Sequence, residues 1–203
     1  MPDRSAPRAG AAGQGGQAVS VLAGAEPWLE MRGISKVYPN GTRALENVDL
    51  VVAKGEIHGL LGENGAGKST LMKILSGILP LTAGRIRLGG RDISLRNTHD
   101  ALAHGIGMVH QHFSLVPTFT ALDNILLGRG ALLSSPNRAQ ARARVQRLMD
   151  ETGLHAPLDI PVEQLPVGTQ QRIEILKTLD RQVDVLILDE PTAVLTPQET
   201  DQL

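Results

Sequence analysis

The sequence predicts an α/β domain with a β-rich N-terminal part and an α-helical subdomain inserted into it. Three observations carry that expectation. A glycine-rich loop, Gly62-Glu63-Asn64-Gly65-Ala66-Gly67-Lys68-Ser69-Thr70, follows a short apolar stretch and opens a helical pattern. Four consecutive apolar residues, Val185 to Leu188, read as a strand of the kind buried in a parallel sheet. Between the two, from Phe113 to Arg181, the pattern is mostly helical.

Each element has its own local reason. Residues 1–27 are expected to form a flexible tail, because Met1 to Ala25 is rich in glycine and alanine and lacks the continuous apolar core of a signal peptide. Trp28 to Ile34 alternates like a strand, and Tyr38-Pro39-Asn40-Gly41 reads as a turn. Ala44 to Val52 is a second strand, and Glu56 to Leu61 a third that feeds the glycine loop. Lys68 to Leu75 is a helix with Leu71, Ile74 and Leu75 on one face. Gly77 and Pro80 end that pattern before a strand over Gly84 to Leu88. His99 to His104 reads as a short helix and Ile106 to His110 as a strand. Thr120 to Leu127 is amphipathic, Asn137 to Thr152 is a charged helix capped by Asn137, and Gln170 to Asp180 is a further helix.

Composition narrows the function. The 203 residues suffice for one sizeable domain. A formal net charge of −1 and 2% aromatics argue against wholesale nucleic-acid binding and against a base-stacking surface for single strands. Arg138, Arg142, Arg144 and Arg147 read as a solvated helix face rather than a nucleic-acid patch. With no cysteine there is no disulfide, thiolate metal site or cysteine nucleophile. No apolar run approaches the roughly 20 residues that span a bilayer.

The glycine loop fits G-x-x-x-x-G-K-[ST] in the strand–loop–helix context that phosphate binding requires. Gly62, Gly65 and Gly67 let backbone N–H groups converge on phosphate oxygens, and the helix N-terminus adds its positive dipole end. Lys68 suits the β- and γ-phosphates, and the Ser69 hydroxyl suits Mg²⁺. Asp189 and Glu190 stand at the C-terminal tip of the apolar strand. There Asp189 suits Mg²⁺ and Glu190 suits polarising a water for in-line attack. The chain therefore reads as a nucleoside-triphosphate-binding protein.

Leu165-Pro166-Val167-Gly168-Thr169-Gln170-Gln171-Arg172, lying shortly before Asp189-Glu190, resembles the signature motif of the nucleotide-binding subunits of ABC transporters. Gln111, at a strand end, is similar to that family's Q-loop, and Tyr38 to the aromatic that stacks on adenine. The likeness runs from Trp28 to Leu203. It implies a P-loop NTPase (RecA-like) core over 28–203 with its helical subdomain at about 113–181. It also implies ATP and Mg²⁺ as cofactors. Tyr38, Gly62 to Thr70, Gln111 and Asp189 would bind nucleotide, with Ser69, Gln111 and Asp189 at the metal. Glu190 and Gln111 would serve the chemistry. Leu165, Pro166, Val167, Gly168, Thr169 and Gln170 would face ATP held by a second ABC ATPase domain. The helical subdomain would dock transmembrane permease subunits, served indirectly by a solute-binding protein, on the cytoplasmic face of the cell membrane.

Departures from the family pattern carry expectations of their own. Pro166 replaces the signature serine and Val167 its first glycine, so the site that receives this signature is expected to be slower. Thr196 stands where most members carry an aspartate. The six histidines all precede Asp189, so the histidine that finishes such a site is not among them, and the domain is expected to be truncated at its C-terminus. His110 and His112 do not make a metal site, since no third ligand is evident. Val109-His110-Gln111-His112-Phe113, Leu115-Val116-Pro117 and Glu190 to Thr196 resemble importer ATPases for nucleosides and simple sugars, with a lean towards nucleosides. Such chains carry two domains in tandem, and this one resembles the first. The competing readings are a soluble ABC ATPase without a membrane partner and a fragment that binds ATP without hydrolysing it.

Overall fold

A computed structural model describes residues 26–111, 113–127, 138–192 and 197. The chain divides into two compact units, one running to Lys68 and including Leu81–Ile93, the other comprising Ser69–Pro80 and the chain from Ser94 onward.

The first unit is an antiparallel sheet of β1 (Pro27–Val37), β2 (Arg43–Ala53), β3 (Ala83–Leu88) and β4 (Arg91–Ile93), in the order β2-β1-β3-β4. Leu29, Met31 and Ile34 of β1, Leu45 and Leu50 of β2 and Ile86 of β3 form its buried face. At Gly84 (φ 105°) the strands cross so closely that a Cβ would lie 2.7 Å from the Arg32 and Gly33 carbonyl oxygens. β4 was not legible as a strand. Gly89 and Gly90 (φ 54° and 77°) make the two-residue turn that pairs Leu88 with Arg91.

The strand expected over Glu56 to Leu61 does not form. Residues 56–61 join no ladder among the described residues, and Ile57 and Leu61 are fully exposed. Apolar content alone does not make a strand, which needs a neighbour's N–H and C=O groups. This segment's contacts are local instead. Glu56 N–H donates to Ala53 O (3.3 Å), Ala53 N–H donates to Glu56 Oε2 (2.7 Å), and His58 Nδ1 lies 2.9 Å from Glu56 Oε1.

Helix α1 spans Lys68–Leu75 as expected, burying Leu71, Ile74 and Leu75. In the second unit α2 (Thr98–Ala103) is capped by the Asn97 side chain, which accepts from Asp100 N–H. β5 (Ile106–Val109) and β6 (Val185–Leu188) pair in parallel, from Ile106 with Val185 to Val109 with Leu188. β6 is less enclosed than its sequence suggests: Ile187 is buried, but Leu188 is 40% exposed. The reason is that β6 has β5 alone as a ladder partner among the described residues.

The helices α3 (Ala121–Leu126), α4 (Arg138–Thr152) and α5 (Val167–Leu179), with a 3₁₀ turn at Val162–Gln164, close around Leu122, Ile125, Val145, Met149, Ile173 and Leu176. Thr120 caps α3. The expected cap Asn137 lies outside the described residues. Three of the arginines of α4 are not merely solvated. Arg138 pairs with Asp123, Arg142 makes two bonds to Asp159 (2.6 and 2.7 Å), and Arg144 makes two to the buried Asp180 (2.7 and 3.1 Å). These bonds tie α4 to three other segments, and spacing along one helix cannot reveal that.

Candidate functional site

The glycine loop takes its shape from two residues. Gly65 and Gly67 hold φ of 85° and 91°, which side chains disfavour. A Cβ on Gly67 would also lie 2.6 Å from Leu45 Cδ2 and 2.8 Å from the Ala44 carbonyl oxygen, so the loop is seated against β2. Gly62 differs from expectation, because its φ is not left-handed and a Cβ there would meet only ordinary contacts with Ala66 and Lys68. The Lys68 ammonium lies back across the loop, donating to the carbonyls of Gly62 (2.6 Å) and Glu63 (3.0 Å). Ala66 N–H donates to Glu63 O (3.2 Å). Asn64 and Gly65 form the turn at the crest, and Ser69 and Thr70 occupy the first turn of α1.

The second unit brings two other expected residues together. Beyond the paired Val109 and Leu188, Gln111 and Glu190 each lie two residues further on. The parallel register therefore sets them side by side, and Gln111 Nε2 donates to Glu190 Oε2 at 2.9 Å. Asp189 N–H donates to Val109 O (3.1 Å), fixing the strand tip, while Glu190 adopts φ 50° and is exposed. His112, Thr196 and Ala193 to Leu195 lie outside the described residues.

The signature segment starts α5 three residues earlier than the sequence suggests. Pro166 is its N-cap (φ −55°, ψ 151°), with no side-chain capping bond, and Val167 is the first helical residue. Proline suits this position because its missing N–H has no partner to lose there. Val167 is exposed, Leu165 and Gly168 are buried, and Thr169 and Gln170 are half-buried. Thr169 and Gln170 N–H groups donate to Pro166 O, and Gln170 Nε2 donates to Leu165 O (2.9 Å). Tyr38 stands just past β1 in a turn closed twice, by its N–H to Thr42 O and by Gly41 N–H to its own carbonyl, both 2.9 Å.

These features invite comparison with known proteins. The ABC transporter family matches residues 45–193, from β2 through the tip of β6. The chain belongs to the ABC transporter family. The ribose import ATP-binding protein RbsA 1 of Burkholderia thailandensis is 49% identical over 177 residues, covering 86% of this chain and 35% of its own length. The guanosine import ATP-binding protein NupO of Bacillus subtilis is 49% identical over 176 residues, covering 86% and 34%. The chain thus spans about a third of the length of the curated relatives it matches. The ADP conformation of MJ1267, an ATP-binding cassette of an ABC transporter, superposes with a TM-score of 0.77 over 87% of this chain and 74% of that one. At 22% identity that likeness shows the fold, an α/β ATP-binding cassette.

In this ABC transporter chain the sequence reading missed a second set of polar residues, which holds the segment after Gln111. Glu174 of α5 accepts from Ser114 N–H, and Lys177 Nζ donates to Ser114 O (2.9 Å). The fully buried Asn124 of α3 accepts from Val116 N–H (2.7 Å) and donates to Val116 O (3.0 Å). The available signal was a charged pair, Glu174 and Lys177, and a lone Asn on otherwise apolar helix faces.

Proposed function

We propose that this chain is the ATP-binding and ATP-hydrolysing motor domain of an importer for nucleosides or simple sugars. The observation that carries the reading is the loop from Gly62 to Thr70. Its two left-handed glycines, its tight seat on β2 and its direct run into α1 suit a loop whose N–H groups would turn towards phosphate oxygens. Lys68 would exchange its bonds to the Gly62 and Glu63 carbonyls for bonds to phosphate oxygens. The Ser69 hydroxyl, the Asp189 carboxylate and the Gln111 amide oxygen are hard oxygen donors of the kind Mg²⁺ takes. When bound, Mg²⁺ supplies neutralisation of the phosphate charge.

Glu190 is the proton acceptor in this reading. Gln111 holds its Oε2, leaving Oε1 to take a proton from the attacking water. The Gln111 amide has two ends, so Nε2 can hold Glu190 while its oxygen reads the nucleotide. The Ser114 and Val116 contacts then tie that residue's segment to α5 and α3. Tyr38 would stack on adenine. Leu165 to Gln170 would face ATP held by a second ABC ATPase domain. Residues 28–203 would be the ATPase domain, 113–181 its helical subdomain, and 1–27 a tail.

The names of the relatives support import. A ribose and a guanosine relative are equally identical to this chain, so the lean towards nucleosides rests on the His110–Pro117 stretch. The partners would be transmembrane permease subunits and, through them, a solute-binding protein, with the chain peripheral on the cytoplasmic face. No helix among the described residues is long and apolar enough to cross a membrane. Nucleic acid is not a partner in this reading, since Arg138, Arg142 and Arg144 are each paired with an aspartate. Co-purification tests the assignment: a membrane subunit should be retained by the tagged chain in detergent, and its absence would favour a soluble ABC ATPase. Pro166 brings no hydroxyl to the signature, so Pro166→Ser in the complete transporter should raise hydrolysis at one site. Unchanged rates would refute that point.

A further inference from the structure

We infer that Lys36 is a positioning residue for nucleotide binding, holding the Tyr38 ring flat from one side so that its other face is presented to the base. This rests on the reading of Tyr38 as the adenine platform and adds a residue that neither the sequence motifs nor the relatives' names assign. Lys36 is only 8% exposed, and its ammonium lies over the Tyr38 ring, 5.5 Å from the centroid. Residues two apart on an extended chain point to the same side, which is why these two meet while Val37, between them, is exposed. The turn hydrogen bonds fix the Tyr38 backbone, and the cation limits the ring's rotation.

A shared scaffold strengthens the inference. Lys36 pairs in register with Leu45 of β2, and Leu45 is the residue whose Cδ2 seats Gly67 of the glycine loop. The backbone that carries the ring's support and the residue that seats the phosphate loop are therefore neighbours across one strand pair. Pre-ordering the ring removes an entropy cost from binding. A cation on one face also draws π density from the ring, which favours stacking of an electron-rich purine on the other.

The test is calorimetric titration of the chain with Mg-ATP and, separately, with Mg-tripolyphosphate, which has no base. Lys36→Met keeps the aliphatic stem and removes the charge; Lys36→Arg keeps a cation. Lys36→Met should weaken ATP roughly 3- to 5-fold, the size of the cost of ordering one side chain on binding, and leave tripolyphosphate unchanged. Lys36→Arg should restore ATP affinity to within about 2-fold. In a Tyr38→Ala background Lys36→Met should add nothing. Equal weakening of ATP and tripolyphosphate would overturn the proposal, as would an undiminished effect in the Tyr38→Ala background. It also fails if Lys36→Met is silent while Tyr38→Ala weakens ATP. If Tyr38→Ala itself is silent, the platform reading falls and this proposal with it. Failure of the unaltered chain to bind tripolyphosphate would instead sink the phosphate-loop reading.

Discussion

Asn124→Ala should destabilise the helical part of the chain by about 2 kcal/mol, and the hydrogen bonds show why the figure is no larger. Asn124 is fully buried, accepts from Val116 N–H, and points Nδ2 at three carbonyls, those of Val116, Phe119 and Thr120. Each of those carbonyls keeps another donor on truncation. Phe119 N–H donates to Val116 O, Val162 N–H to Phe119 O, and the Asn124 backbone N–H to Thr120 O. Only Val116 N–H is orphaned, at about 1–3 kcal/mol, with a further cost for the side-chain void. Alanine's better helix propensity returns about 0.6 kcal/mol. A urea midpoint lowered by about 1 M, followed by far-ultraviolet circular dichroism, matches that sum at a slope of about 2 kcal/mol per molar. Exchange of the Val116 amide should accelerate in parallel. A loss below about 0.5 kcal/mol, or unchanged protection at Val116, would refute the reasoning.

Gly67→Ala should cost more stability and more nucleotide affinity than Gly65→Ala, by at least about 1 kcal/mol in a thermal melt. Both positions have left-handed φ, but only Gly67 lacks room for a Cβ. The Ala53 amide, and then His58, hold the Glu56 carboxyl below its ordinary value of 4.5. Its contribution is therefore fully present above about 4.5 and is lost as the pH falls through the depressed value. Urea midpoints of the parent and of Glu56→Gln should differ at pH 6 and converge in acid.

What could be read from the sequence was local, and what could not was a matter of partners. Lys68–Leu75 was legible to the residue because its apolar spacing and the Gly77 stop both act within one helix. The amphipathic pattern from Thr120 to Leu127 located α3, because helix periodicity also acts within one element. The loop's chemistry was legible for the same reason, although Gly62 turned out not to need glycine's backbone freedom. Residues 56–61 failed because a strand is defined by a distant neighbour, and apolar composition says nothing of its presence. The aspartates that pair with α4 lie 15 to 36 residues away from their arginines, beyond any periodicity. Gln111 and Glu190 were singled out individually, yet their hydrogen bond followed only once the parallel register showed equal offsets from paired residues. The Glu174, Lys177 and Asn124 contacts were missed because helix-face polarity looks the same whether it meets water or a loop backbone.

The most direct measurement is Mg-ATP binding and steady-state hydrolysis by this chain beside Lys68→Ala and Glu190→Gln. Binding by the parent, its loss in Lys68→Ala, and retention of binding without turnover in Glu190→Gln are the results expected of a phosphate-binding loop served by a separate carboxylate. Absence of Mg-ATP binding by the parent, or turnover undiminished by Glu190→Gln, would contradict the assignment of the Gly62–Thr70 loop or of the β6 tip respectively.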